Sequence, residues 1–266
     1  MGFDVYLANN SGVNYSQVHD KYTTADREFW AMDWSKFGVY DFPALVGEIR
    51  KRNGDKKVAV IGHSQGTSQT FAGMGLIPEW YDQNVTMGIM MGPCTSPNET
   101  YFGAVYNAEN WKFLEDNEIW VLAGGPDWEA KKAIIDSEGS ESLKETVVSM
   151  GALPNNSVQA CAAYAQTSLS KRFGKYNPNW FEEKNPKSFL MDYGLVQEMK
   201  IAMFVGLWDN TCPLPVAQQI YENLGGDNTV SHWIVAPTQG HVVWGFTASK
   251  WFMGNVEDAL MTNADI

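Results

Sequence analysis

The sequence predicts an α/β fold in which a mostly parallel sheet carries helices on both faces. Short apolar runs rich in β-branched residues alternate with stretches that have apolar residues at helical spacing. This alternation favours parallel strands, because each crossover helix then covers one face of the sheet. One apolar run leads directly into a Gly-x-Ser-x-Gly motif, and one long interior segment breaks the alternation. The motif indicates a nucleophile, and the interior segment indicates an inserted domain.

The motif Gly62-His63-Ser64-Gln65-Gly66 follows a predicted strand at 57–61 and precedes a proline-free stretch at 67–74 that predicts a helix. A serine at a sharp turn between strand and helix has an exposed hydroxyl. We expect both flanking glycines to be needed because a Cβ there would collide with the strand or the helix. We also expect the backbone N–H of Gln65 to point at a developing oxyanion.

The remaining core elements are predicted from the same two patterns. Strands are expected at 2–7, 85–91, 201–206 and 230–235. Helices are expected at 39–52, where Asn53-Gly54 ends the helix, at 216–224 and at 243–260. Residues 9–36 are rich in Asn, Ser and Tyr and are predicted as loop.

The pattern changes between residues 93 and 199, which we interpret as an inserted, mainly helical cap or lid. Helices are expected there at 111–116, 128–135 and 143–150, and the run at 119–123 fits either a strand or a helix. The core domain would then consist of residues 1–92 and 200–266.

Composition excludes several classes of function. The chain has 266 residues and a formal net charge of −12, from 19 basic and 31 acidic residues. That balance argues against nucleic acid as a partner and against electrostatic docking on an anionic membrane. The sequence contains no run of 18 apolar residues, so no membrane span is expected. Its first five residues lack the basic and apolar regions of a signal peptide.

The cysteines Cys94, Cys161 and Cys212 lie far apart and match no zinc spacing. One disulfide with one free thiol and three buried thiols are both compatible with the sequence, and we favour three thiols. No metal or cofactor is expected. Five Asn-x-Ser/Thr sequons point to a secretory route: Asn9, Asn14, Asn84, Asn98 and Asn155.

A nucleophilic serine needs a base and an acid, which in this type of fold follow the serine in the order acid, then histidine. Asp209 follows the predicted strand at 201–206, and His241 lies in a loop after the strand at 230–235. His232 falls inside that strand, and Asp227 lies on the opposite edge of the sheet. The sequence therefore predicts Ser64, Asp209 and His241 as the catalytic residues.

Motifs in the first part of the chain resemble the acid lipase family of α/β-hydrolases, which includes the gastric and lysosomal lipases. Residues 2–9, G-F-D-V-Y-L-A-N, are similar to that family's G-Y-D-V-W-L-G-N. Further matching segments are N-Y-S at 14–16, E-F-W-A at 28–31, Y-D-F-P-A at 40–44 and G-H-S-Q-G-T at 62–67. The resemblance is dense over 2–75, patchy in the cap, where S-V-Q at 157–159 and Y-A-Q at 164–166 match, and recoverable near Asp209 and His241.

The resemblance implies an α/β-hydrolase fold and a serine hydrolase that cleaves esters of neutral lipids, either triacylglycerols or steryl esters. Ser64 would be the nucleophile that forms an acyl-enzyme, His241 the base, Asp209 the group that orients His241, and Gln65 an oxyanion donor. The substrate would be presented at a lipid-droplet or micelle surface, and the location would be secreted or lysosomal. A thioesterase or another serine hydrolase on this fold, and an inactive hydrolase-like binding protein, remain alternatives.

The sequence departs from the family in two ways. Family members carry an upstream segment with the first strands and an H-G-L loop that supplies a second oxyanion N–H, whereas this chain begins at the equivalent of the fourth strand. We expect it to be a truncated gene product, a fragment or a reduced variant. The family's paired cap cysteines are also not matched at 113–123.

Overall fold

The computed structural model describes residues 2–98, 107–150, 156–179, 190–245 and 249–263. The chain divides into two compact units. The first, here called the core unit, consists of Met1–Ala8, Trp34–Asn98 and Met191–Ile266. The second unit consists of Asn9–Asp33 and Glu99–Leu190. The domain bounds expected from the sequence, 93–199 for the cap and the rest for the core, stay a prediction.

The strands of the described residues follow each other along the chain as β1 (Val58–His63), β2 (Val85–Met91), β3 (Val121–Leu122), β4 (Asn156–Ser157), β5 (Lys200–Gly206) and β6 (Val230–Ala236). The core unit contains a parallel four-stranded sheet in the order β1-β2-β5-β6. The two central strands, β2 and β5, are buried along nearly their whole length. Burial on both faces explains their continuous apolar sequences and confirms the predicted α/β class.

The α-helices of the described residues are α1 (Trp34–Lys36), α2 (Phe42–Arg52), α3 (Gln65–Leu76), α4 (Pro78–Asn84), α5 (Ala108–Asp116), α6 (Trp128–Glu138), α7 (Glu141–Met150), α8 (Val158–Ser170), α9 (Leu214–Asn223) and α10 (Lys250–Asn263). A π-helical turn at Phe37–Asp41 joins α1 to α2. The helix predicted from residue 39 therefore begins at Trp34. Gly38 does not interrupt it, because that glycine provides the close approach between this turn and α3.

The strand predicted at 2–7 is wrong. Residues 2–8 form no regular structure, and the side chains of Val5 and Leu7 are 80% and 95% exposed. Phe3 alone in this segment packs against the apolar cluster beside β2, β5 and β6. An apolar run becomes a strand only when a neighbouring strand satisfies its N–H and C=O groups, and no described strand pairs with this one.

The predicted helix at 243–260 is wrong in its first part. A 3₁₀ turn occupies Val243–Gly245, α10 begins at Lys250, and residues 246–248 lie outside the described residues. The sequence pattern also did not indicate α8, or α4, which begins with a proline only two residues after α3 ends. The ambiguous run at 119–123 contains β3, which pairs antiparallel with β4.

The second unit has its own apolar core. Residues from α5, α6, α7 and α8 form one cluster that includes Leu114, Ile135, Leu143 and Ala165, all fully buried. Ser157 fixes the start of α8, because its hydroxyl accepts the Ala160 N–H and donates to the carbonyl oxygens of Trp30 and Met32. This N-cap ties residues 30–32 to the helix, although the sequence pattern of 9–36 predicts only loop.

The core unit is packed on both sides of the sheet. On one side Phe204 of β5 makes edge-on contacts with Trp244 and Phe252, with ring centroids 6.1 and 5.6 Å apart. Elsewhere in this unit Phe71 and Met74 of α3 are fully buried. Within the described ranges, every helix is too short or too polar to cross a membrane.

Two glycines of the α1–α2 region provide a matched test of this packing. A Cβ at Gly38 would lie 2.1 Å from the Gln69 carbonyl oxygen in α3, whereas a Cβ at Gly47 in α2 would meet nothing within 4 Å. We expect Gly38→Ala to lower the free energy of unfolding by about 1–3 kcal/mol, since backbone must move. Gly47→Ala should raise it by up to about 1 kcal/mol, because alanine is the better helix former. Urea unfolding followed by circular dichroism measures both, and equal shifts would contradict the close approach.

Candidate active site

The sequence folds Ser64 into a strained turn between β1 and α3. Its backbone has φ 53° and ψ −113°, a conformation that residues with a Cβ rarely adopt. The turn is held from both sides: the Ser64 N–H donates to the Met91 carbonyl at 3.1 Å, and the Ser64 carbonyl accepts the N–H and the hydroxyl of Thr67 at 2.9 and 2.6 Å. The serine side chain therefore occupies a fixed position at the carboxyl edge of the sheet.

The two glycines of the motif are not equivalent. A Cβ on Gly62 would lie 2.8 Å from the carbonyl carbon and oxygen of Gly66, so the expected collision holds at Gly62. A Cβ on Gly66 would meet nothing within 4 Å, so the same expectation is wrong there. A side chain at Gly62 would point at the first turn of α3, where Gly66 and Thr67 lie. A side chain at Gly66 would point into open space.

Ser64, His241 and Asp209 form a hydrogen-bonded chain. His241 Nε2 lies 2.7 Å from Ser64 Oγ, and His241 Nδ1 lies 2.8 Å from Asp209 Oδ2. The other carboxylate oxygen, Oδ1, accepts the N–H groups of Thr211 at 3.0 Å and Cys212 at 2.7 Å. Asp209 is 2% exposed, so its carboxylate is oriented by these donors rather than by water. The structure thus brings the three residues named from the sequence within hydrogen-bond distance of each other.

This arrangement can perform nucleophilic chemistry. A carboxylate that accepts the Nδ1–H leaves Nε2 free to take the serine proton, and it stabilises the imidazolium that forms. Gln65 is the first residue of α3. The first N–H groups of a helix have no intrahelical acceptor, so the Gln65 N–H belongs to the donors available beside Ser64. The described residues contain no group of three His, Cys, Asp or Glu side chains that could hold a metal ion.

The two residues that the sequence analysis set aside make other contacts. Asp227 lies in a 3₁₀ turn and accepts a hydrogen bond from the Tyr221 hydroxyl, which raises the pKa of Tyr221. His232 in β6 contacts the Ser231 hydroxyl and the Asp258 carboxylate, at 3.0 and 3.2 Å.

The sequence pattern did not indicate a role for His63. Its Nε2 lies 2.6 Å from the His241 carbonyl oxygen, which can only accept, so His63 donates. The rings of His63 and His241 are 5.2 Å apart. Burial lowers the pKa of His63, and the nearby charge of His241 lowers it further. The hydrogen bond to the His241 carbonyl and the charge of Asp209 raise the pKa, but the net shift is downward. His63 thus ties the His241 loop to the end of β1. The only sequence signal for this role is that His63 lies next to Ser64 in the motif.

The expectation of three thiols is wrong. Cys94 and Cys212 form a disulfide with their Cα atoms 5.4 Å apart, and Cys161 is a buried cysteine of the second unit that is not part of this disulfide. The two bonded cysteines are 118 residues apart in sequence. Cys94 follows β2 and Cys212 follows β5. The two cysteines come together because these two strands are neighbours in the sheet, an order that the sequence does not display.

The family model described as alpha/beta hydrolase fold matches residues 1–191. The chain belongs to the alpha/beta hydrolase family. Its sheet order, its strand-turn-helix at Ser64 and the succession of Ser64, Asp209 and His241 along the chain agree with that assignment.

The relatives that this chain matches include proteins named as acid lipases. The lysosomal acid lipase/cholesteryl ester hydrolase of Homo sapiens is 35% identical over 102 residues, which cover 36% of this chain and 25% of the relative. Lipase member N of Homo sapiens is 33% identical over 95 residues, covering 36% of this chain and 24% of the relative. The chain therefore matches only about a quarter of the length of these relatives. A solved thermophilic esterase from Thermogutta terrifontis is similar with a TM-score of 0.47 and 12% identity, over 96% of this chain and 79% of its own.

The lowered pKa of His63 predicts a pH dependence of stability. The unfolded chain binds a proton at His63 near pH 6.5, and the folded protein binds it only at lower pH. The free energy of unfolding should therefore fall as the pH drops through 6.5 towards the folded pKa. His63→Gln, which keeps an N–H donor but cannot become charged, should show a shallower decrease.

Urea unfolding between pH 5 and pH 8 measures this difference. At pH 8 both folded and unfolded histidine are neutral, so the two proteins should differ there by a constant amount. Parallel curves over the whole range would show that His63 carries no such linkage.

Proposed function

We propose that this protein is a serine hydrolase that cleaves carboxylic esters of neutral lipids, such as triacylglycerols or steryl esters, through an acyl-enzyme on Ser64. The observation that carries the proposal is the hydrogen-bonded chain from Ser64 Oγ through His241 to Asp209. The similarity to a protein named lysosomal acid lipase/cholesteryl ester hydrolase supports the substrate class.

The proposed reaction has two steps. His241 Nε2 takes the Ser64 proton while Oγ attacks the ester carbonyl carbon, and the carbonyl oxygen becomes an oxyanion near the Gln65 N–H. Collapse of this intermediate breaks the bond to the alcohol oxygen, which receives the proton from His241. Water then gives a proton to His241 and attacks the acyl-enzyme, and the second collapse returns the proton to Ser64 Oγ with release of the carboxylic acid. Neither step requires a metal or a cofactor.

The surface beside the acid and the base supports an apolar substrate. Leu207 and Trp208 precede Asp209 and are 48% and 68% exposed, and Val242 follows His241 and is 63% exposed. Large apolar side chains exposed next to a reacting group offer contacts to an acyl chain or to the surface of a droplet or micelle.

A secreted or lysosomal location fits the same proposal. The relatives include proteins named as lysosomal. The Cys94–Cys212 disulfide is of a kind that persists in oxidising compartments.

Substitutions at three positions test the proposed triad. Ser64→Ala should abolish ester hydrolysis, and Asp209→Asn should lower kcat by up to about 10⁴ because His241 loses its orienting carboxylate. Asp227→Asn is the matched control and should retain wild-type turnover, since Asp227 contacts Tyr221 instead. The measurement is kcat on a short-chain p-nitrophenyl ester, with circular dichroism to show that each variant is folded. Wild-type turnover in Ser64→Ala, or a loss confined to Asp227→Asn, would refute the assignment.

The same samples separate the alternative activities. Rates on matched ester, thioester and amide substrates distinguish a lipase-like esterase from a thioesterase or a peptidase. A folded wild-type protein whose Ser64 does not react with a fluorophosphonate would be an inactive binding protein.

Trp208 provides a test of the substrate class. Trp208→Ala should raise KM for long-chain esters by about tenfold, as expected for the loss of roughly 1.4 kcal/mol of apolar contact, and should leave short-chain esters nearly unchanged. Trp251→Ala is the control, because Trp251 is also exposed but belongs to α10. The readout is KM against acyl-chain length. A uniform effect on all chain lengths would contradict an acyl contact at Trp208.

A further inference from the structure

The Cys94–Cys212 disulfide joins the two sides of the candidate triad. Cys94 follows β2 and lies against the helix that begins at the nucleophile, and Cys212 lies in the loop that carries the acid. Both cysteines are almost completely buried, with 2% and 1% exposure. The bond is therefore an internal link between two loops at the carboxyl edge of the sheet.

On the acid side the link is direct. The N–H of Cys212 donates to Asp209 Oδ1 at 2.7 Å, the shorter of the two backbone hydrogen bonds that this oxygen accepts. The residues around the acid are otherwise at the surface: Trp208 and Asn210 are exposed on either side of it. A buried carboxylate in an exposed loop depends on the anchors at the ends of that loop.

On the nucleophile side the link runs through Cys94 into α3. The Cys94 N–H donates to Thr67 Oγ1 at 2.9 Å, and the Cys94 carbonyl accepts the Ser68 hydroxyl at 2.6 Å. Thr67 Oγ1 in turn donates to the carbonyl of Ser64 at 2.6 Å. A continuous path of one covalent bond and short hydrogen bonds thus connects the backbone of Ser64 with the carboxylate of Asp209.

We propose that the Cys94–Cys212 disulfide is a positioning element of the active site, which holds the Asp209 loop at the distance from the Ser64 turn that the His241 bridge requires. The inference rests on the proposed function. Other anchors of the acid loop are backbone hydrogen bonds, from Asn98 to Thr211 at 2.8 Å and from Trp208 to Gln239 at 3.0 Å. These two hydrogen bonds remain when the disulfide is removed. We therefore expect the acid loop to stay folded, but the position of Asp209 to vary more.

The consequence for catalysis is specific. A displacement of the acid of about 1 Å weakens the bond to His241 Nδ1 and costs up to about a hundredfold in turnover. Binding of a small ester does not use the carboxylate, so KM should change little. If the disulfide has a merely structural role, its removal should instead lower thermal stability and leave kcat unchanged at temperatures where the protein is folded.

The test compares Cys94→Ala/Cys212→Ala with Cys161→Ala, which removes a buried thiol that forms no disulfide. At a temperature below every melting transition, the double variant should lose about tenfold to a hundredfold in kcat on a soluble short-chain ester, with KM within about twofold. The single variant should keep the wild-type kcat. Equal kcat values in the folded double variant and the wild type would overturn the proposal.

A second readout does not depend on ester hydrolysis. The Nδ1–H of His241 donates to Asp209 Oδ2 at 2.8 Å, and a proton in such a bond gives a downfield proton NMR signal. In the double variant this signal should move upfield and broaden, because the hydrogen bond to the displaced carboxylate is longer. Absent ester turnover in the wild type would overturn the proposed function, whereas an unchanged Nδ1–H signal of His241 in the double variant would overturn the positioning role.

If the double variant does not fold, reduced wild-type protein decides between the outcomes. A water-soluble phosphine reduces the disulfide to two thiols and is itself oxidised to the phosphine oxide, whose oxygen comes from water. The reduced fraction is counted by thiol alkylation and mass spectrometry. Circular dichroism identifies the reduced samples that are still folded. In these, a kcat that declines in proportion to the reduced fraction at constant KM supports the proposal, and full activity overturns it.

Discussion

The strained backbone of Ser64 is the constraint on which the rest of the site depends. A residue with a Cβ at φ 53° persists only where its surroundings hold it. Here β1 and α3 hold it, because Gly62 lets them approach, while Met91 and Thr67 occupy the backbone groups of the turn. Since Met91 ends β2, Ser64 is tied to the next strand as well as to its own. The parallel sheet thus sets the position of the serine hydroxyl.

The burial of the central strands and the order of the residues that follow the strands explain how much of the site could be predicted from the sequence. β2 and β5 are apolar throughout because they are buried on both faces, so their bounds were predicted almost to the residue. Ser64, Asp209 and His241 were predicted from their order and from their positions after strands, and the structure brings them within hydrogen-bond distance. Their roles in catalysis stay a prediction.

Other features depend on contacts that a single sequence does not display. Residues 2–7 have the composition of a strand, but pairing is a property of two segments, and none of the described strands adjoins them. Gly38 has the appearance of a helix breaker, yet it lies inside a helical stretch because α3 passes close to it. The hydrogen bond from His63 to the His241 carbonyl and the Cys94–Cys212 bond both join residues far apart in the chain.

The disulfide also changes what a cut in the chain would do. The loop that it closes contains residues 95–211, and with them the whole of Glu99–Leu190 of the second unit. A protease that cleaved once between residues 95 and 208 would leave two fragments, one with Ser64 and one with Asp209 and His241. The fragments would stay covalently joined through Cys94 and Cys212, at the point where they meet beside the triad. A nicked molecule would therefore keep Ser64, Asp209 and His241 in one covalently linked particle.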